Sequence, residues 1–273
     1  MKKIVFLFSL SLIFVSCSKN DEETSTGLND SDLMTASVST SFGDDSDINF
    51  SVNLASDYSS YSSRSTSSTL VGCPIITVDN LNPGEFPKTF TVDFGANCII
   101  NGITRSGSLT VILDDYVTNY GSTLTIIRGN NYYINGLKFE GTIVYENITN
   151  DVNLPTWTRA LSNGKITTST GGIYTYNDSR TVQLIEGAGT LNLTDNVYKA
   201  ISGTRHVIRP NNTSLTSTII TPLIKSYSCN YISEGSLDLQ GTFLDGTLDF
   251  GDGSCDNIGT YTHSNGQVYT INL

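Results

Sequence analysis

From Val71 to the C-terminus the sequence alternates in steps of two, and that pattern allows few folds. "SGSLTVILDDY", "STLTIIRG", "GLKFEGTIVYENIT", "GKITTST", "GTLNLTDNVY" and "GQVYTINL" each place apolar or β-branched residues on one face and polar ones on the other. Such alternation marks half-buried strands. Asn-Gly pairs at Asn101, Asn135, Asn163 and Asn265, with Asp-Gly pairs at Asp245 and Asp252, supply residues that tolerate positive φ and suit tight hairpin turns. No window of this region carries a capped apolar stripe of 3.6-residue period. The pattern therefore predicts an all-β, antiparallel domain built from hairpins: a large twisted sheet, a sandwich or an open barrel.

One phrase occurs twice. "TVDFGANC" ends at Cys98 and "TLDFGDGSC" ends at Cys255. Asp93 lies twenty positions after Cys73, and Asp249 lies twenty after Cys229. This spacing reads as an internal repeat of a cysteine-bracketed β unit, residues 73–113 and 229–273. Alternation puts Phe90, Val92 and Phe94 on one face with Asp93 opposite, and Leu248 and Phe250 on one face with Asp249 opposite. Four cysteines besides Cys17 are an even number, and no C-x-x-C pair favours a metal site over disulfides. Pairing within each unit, Cys73 with Cys98 and Cys229 with Cys255, is the favoured connectivity. Cross-pairing of Cys73 with Cys229 or Cys255 is the alternative if the two units lie side by side.

The N-terminus supplies an address. "MKKIVFLFSLSLIFVSC" has a basic start, an apolar run from Ile4 to Val15 too short for an easy span, and a small residue before Cys17. Residues 1–16 read as a lipoprotein signal peptide, with Cys17 the lipidation site and the lipid the membrane anchor. Residues 17–70 are acidic and Ser-rich, ending in "SDYSSYSSRSTSST", and read as a tether before an all-β domain at 71–273. Within them "SDLMTASVSTSF" is a weakly amphipathic stretch able to form a short helix or strand on the domain surface.

The segment "SKNDEE" after Cys17 resembles the acidic post-cysteine segment of Bacteroidota lipoproteins. "FPKT", "TVDFG", a cysteine and "RSGSLTV" resemble a module recurring in β-rich, flavobacterial-type members of that group. The resemblance implies a β-rich fold and export to the outer membrane, facing the cell surface, with the periplasmic face as the alternative. It implies no catalytic residues.

The chemistry legible in the chain is sparse. A formal charge of −11 argues against a nucleic-acid partner, which requires a basic footprint. Asp249, Asp252 and Asp256 in "DFGDGSCD" form an acid-rich bend with the composition of a calcium site, without the full spacing of known calcium loops, and "DDSD" at Asp44 to Asp47 is a weaker match. No other cofactor is indicated. His206 and His263 are the only histidines, and neither G-x-S-x-G nor H-E-x-x-H occurs. The chain has fourteen tyrosines, and Tyr132, Tyr133, Trp157, Tyr174 and Tyr176 are candidates for a ring-lined glycan-binding face. The leading expectation is a lipid-anchored, surface-exposed envelope lipoprotein with a non-catalytic binding or interaction role toward a glycan or envelope protein. A glycan-binding or glycan-degrading outer-membrane protein is the alternative, distinguished by a concave site with facing carboxylates.

Overall fold

The computed structural model describes residues 30–60, 73–82, 84–190 and 193–272. The signal peptide, Cys17, the acidic segment and residues 61–70 of the expected tether lie outside the described residues. The chain runs α1 (Ser31–Ser60), β1 (Ile75–Val78), β2 (Lys88–Ile100), β3 (Ile103–Leu113), β4 (Thr123–Arg128), β5 (Tyr133–Ile134), β6 (Leu137–Asn147) and β7 (Thr156–Thr167). It continues through β8 (Ile173–Glu186), β9 (Val197–Ile208), β10 (Ser214–Ser226), β11 (Glu234–Gly241), β12 (Asp245–Asp252), β13 (Ile258–His263) and β14 (Val268–Asn272).

All fourteen strands join one antiparallel sheet, in sequence order from β1 to β14. β4 and β5 occupy successive lengths of a single lane, since both pair with β3 and β6. Of the three predicted architectures, the large antiparallel sheet is the one adopted. Asn101-Gly102 and Asn135-Gly136 have positive φ at both residues, as two-residue hairpin turns require. Asn163 instead sits inside β7, where the register with β8 shifts between Leu161 and Gly164, so this Asn-Gly pair makes a bulge and not a turn.

The expected tether is corrected over half its length. Ser31–Ser60 form a 30-residue helix, about 45 Å long at 1.5 Å per residue. From Ala36 to Ala55 none of its residues is exposed. Leu33, Ala36, Thr40, Asp44, Asp47, Ser51 and Leu54 recur at spacings of three and four, and all are buried. This is a helix-period stripe whose centre is polar, which hides it from a hydropathy reading. Many of its residues are poor helix formers, so tertiary packing holds the helix together.

Leu33, Ile48 and Leu54 of α1 belong to one core with Phe90, Phe94, Ile126, Phe139, Val207 and Leu239 of the sheet. Gly43 lets the helix approach closely: a Cβ there would lie 2.5 Å from the Phe139 ring. Ile134 and Phe139, early in the sheet, line the same cavity as Leu237 and Phe250, late in the sheet. The sheet thus curls, and α1 lies on its concave face.

Candidate functional site: an arginine ladder, an acidic helix and a cavity

On five strands the inward phase that carries the core also carries charge. Arg105 follows the phase of Leu109 and Val111, and Arg128 that of Leu124 and Ile126. Arg159 lies between Trp157 and Leu161, Asp178 and Arg180 continue the phase of Tyr176, and Arg205 precedes Val207. Charge in phase with apolar residues is the sequence signal that identifies this site. It is easily missed, because isolated arginines in alternating strands normally face water.

The partners come from the middle of α1, "GDDSD". Asp44 accepts from Arg128 Nη2 at 2.8 Å and from Arg205 Nη2 at 2.8 Å. Asp47 accepts from Arg128 Nε at 2.9 Å and from the Tyr132 hydroxyl at 2.5 Å. Asp45 faces the other way, pairing with Arg159 and, at 3.3 Å, with Lys225. Arg105 donates to the Ser46 carbonyl at 3.0 Å and lies over the Phe50 and Phe94 rings. Asp178, from the sheet itself, bridges Arg159, Arg180 and Arg205. At the helix start, Asp30 and Asp32 both bind Arg209, and near its end Asn53 binds Tyr227.

Burial opposes the charge of every member, and the partners decide the outcome. For Arg128, Tyr176, Asp47 and Asp44 outweigh burial, and the pKa rises well above the usual value. For Asp178, Arg159, Arg180 and Arg205 outweigh burial and hold the carboxyl well below the usual range. Arg180 is the exception: burial, aided by repulsion from Arg159 and Arg205, brings it down to about 10.

The glycan expectation is corrected by these contacts. Tyr132 and Tyr176 are buried, donating hydrogen bonds to Asp47 and Asp44. Tyr174 donates to Asp32 at 2.9 Å, and Trp157 stacks on Tyr145 with centroids 5.7 Å apart. Tyr133 is half-buried in the short β5. Four of these five rings are therefore committed to α1 or to the core, because the face they line is the one the helix covers. The calcium expectation is corrected as well. Asp249 accepts from the Gly251 amide, Asp252 from the Ser254 hydroxyl and Asp256 from the Ile258 amide. Each carboxylate closes its own turn, and the three do not converge; among the described residues no group of three or more ligating side chains occurs. His206 meets Thr216 and His263 meets the Phe243 carbonyl, far apart in the strand order. The disulfides are Cys73–Cys98 and Cys229–Cys255, the pairing within each unit.

Beside the ladder α1 does not fill the curl. A cavity of about 290 Å³ lies between Met34, Val38 and Phe42 of the helix and Ile134, Leu215, Ile219, Leu237, Leu239, Leu248 and Phe250 of the sheet. Asn135, Asn230 and Tyr231, all exposed, stand at its rim. Arg180 and Lys225 enter its wall, and a smaller space of about 70 Å³ adjoins it across Asp45, Arg180 and Lys225. Among the described residues no helix is long and apolar enough to cross a membrane. Comparison of the chain with protein-family models, with curated proteins and with solved structures finds no match.

Proposed function

We propose that the protein is a lipid-anchored envelope lipoprotein, carried at Cys17 on the surface face of the outer membrane, whose role is to bind a small apolar ligand without transforming it. The cavity carries this reading. Its volume approaches the range of small-molecule sites, and its exposed wall is predominantly apolar with polar and charged groups, Arg180, Lys225 and Asp45 among them, set into it. The lipoprotein signal and the acidic segment support the address. Two phrases of the same sequence, each beside its own disulfide, support an internal duplication as the origin of the two ends of the sheet.

A neutral probe tests the binding role. The exported chain, with Cys17→Ala so that no attached acyl chain competes, should bind 1-decanol in titration calorimetry. Leu237→Trp, which fills the cavity, should weaken that binding at least tenfold while leaving thermal unfolding cooperative. Absence of decanol binding to the unaltered cavity would refute the role. The address has its own test: Cys17→Ala should move the protein from the membrane to the soluble fraction, and protease added to intact cells should digest the native form.

A further inference from the structure

The charges of the ladder do not balance. Arg105, Arg128, Arg159, Arg180, Arg205 and Lys225 share four carboxylates, those of Asp44, Asp45, Asp47 and Asp178. Arg159 and Arg180 are direct cross-strand partners, an arrangement that places like charges opposite each other and is unfavourable without an anion between or beside them. Arg159 takes up Asp178 and Asp45. Arg180 has less: its side chain is only 8% exposed, its one ion pair among the described residues is with Asp178, met through Nε at 3.2 Å, and Asp45 attracts it without a hydrogen bond. Its two terminal nitrogens have no hydrogen-bond partner among the described residues, and the side chain forms part of the cavity wall together with the Lys225–Asp45 pair.

A guanidinium fork that opens onto a cavity is available to a ligand, and a planar fork best suits a carboxylate held by two parallel hydrogen bonds. The rest of the cavity offers a different chemistry. Ile134, Leu237, Leu248 and Phe250 supply apolar wall to the same cavity. At roughly 30 Å³ per water-sized group, a space of about 290 Å³ accommodates roughly ten non-hydrogen atoms.

We infer that the cavity is a site for a medium-chain carboxylate amphiphile, its anionic head on the free fork of Arg180 with Lys225 alongside and its chain between α1 and the β11–β12 wall. This rests on the binding role proposed above and adds the ligand class. Burial, with repulsion from Arg159 and Arg205, lowers the Arg180 pKa, which stays well above neutrality, so the fork faces the cavity as a cation.

Titration calorimetry of the Cys17→Ala exported chain with decanoate, 1-decanol and acetate separates the two claims. Decanoate should bind at least tenfold more tightly than 1-decanol, and acetate far more weakly than either. Arg180→Met, which keeps the stem and removes the fork, should reduce decanoate to the affinity of 1-decanol. The comparison of ligands on the unaltered cavity stands even if that variant folds poorly. Equal binding of decanoate and 1-decanol would overturn the carboxylate inference and leave the apolar site intact. Acetate binding as tightly as decanoate would overturn the amphiphile, and no binding by either long-chain ligand would remove the binding role itself.

Discussion

The two ends of the sheet carry the same phrase and put it to different use. In β2, Asp93 accepts from the Gly95 amide at 2.8 Å; in β12, Asp249 accepts from the Gly251 amide at 2.9 Å. Both glycines have positive φ, and in both ladders the register shifts at the Phe-Gly step, so each phrase is a β-bulge closed by its own aspartate. Their surroundings differ. Phe94 packs on Phe50 of α1 with centroids 5.3 Å apart, and Arg105 of the neighbouring strand binds the helix backbone. Phe250 and Leu248 line the cavity instead. A short phrase dictates the bend, while the position of the helix decides whether that bend supports a packed interface or a binding space.

The largest test of the contrast lies where the helix is held. Asp44→Ala should destabilise by about 3–5 kcal/mol, because it leaves Arg128 and Arg205 buried without their shared carboxylate. Denaturant unfolding measures this, and a loss below about 1 kcal/mol would mean that the ladder is not what fixes α1. The same contacts give a pH dependence. The Asp178 carboxyl lies below the unfolded-state value of about 3.9, so the unfolded chain takes up its proton first as the pH falls. Its contribution is full above about pH 4–5 and is lost as the pH drops through the folded-state value; in Asp178→Asn this part of the acid dependence should vanish.

Next in size is the pair of phenylalanines. Phe94→Ala should cost about 4 kcal/mol and Phe250→Ala about 2 kcal/mol, since the second ring already borders empty space and leaves fewer contacts to lose. Equal losses would show that α1 packs no better at one end than at the other. The disulfides should not discriminate. They close separations of 25 and 26 residues, worth about 3.5 kcal/mol each in the chain-entropy account, so replacing either pair by alanine should shift the denaturant midpoint alike. A larger loss for Cys73–Cys98 would measure burial of Cys98, which is fully covered whereas Cys255 is exposed. Smallest of all, Asp93→Ala and Asp249→Ala each remove one exposed side-chain-to-amide bond and should each cost about 1 kcal/mol.

Much of the sheet was legible before its structure. Alternation exposed the strands, and the Asn101 and Asn135 turns marked two of the bends, because these signals depend on residues within a few positions of one another. The disulfide pairing, favoured from the sequence with cross-pairing as its alternative, is local in the same sense, whereas the bulges after Asp93 and Asp249 appear only in the strand register. The site was another matter. Asp44 and Asp47 read as solvated acids in a tether, and Tyr132 and Tyr176 as surface rings, because the groups that neutralise or cover them lie 81 to 161 residues away in the chain. The inward-phase arginines were the one local hint.

By itself, therefore, the sequence determined the strands and two of the tight turns and favoured the cysteine pairing, all governed by backbone geometry and short loops. Only the tertiary structure decided that residues 31–60 are a helix, that its aspartates are buried against arginines, and that Arg180 is left with an open fork beside an apolar cavity. The reason is that a polar stripe becomes a helix face only when a curled sheet supplies its counter-charges. That pairing exists in three dimensions and in no window of the chain.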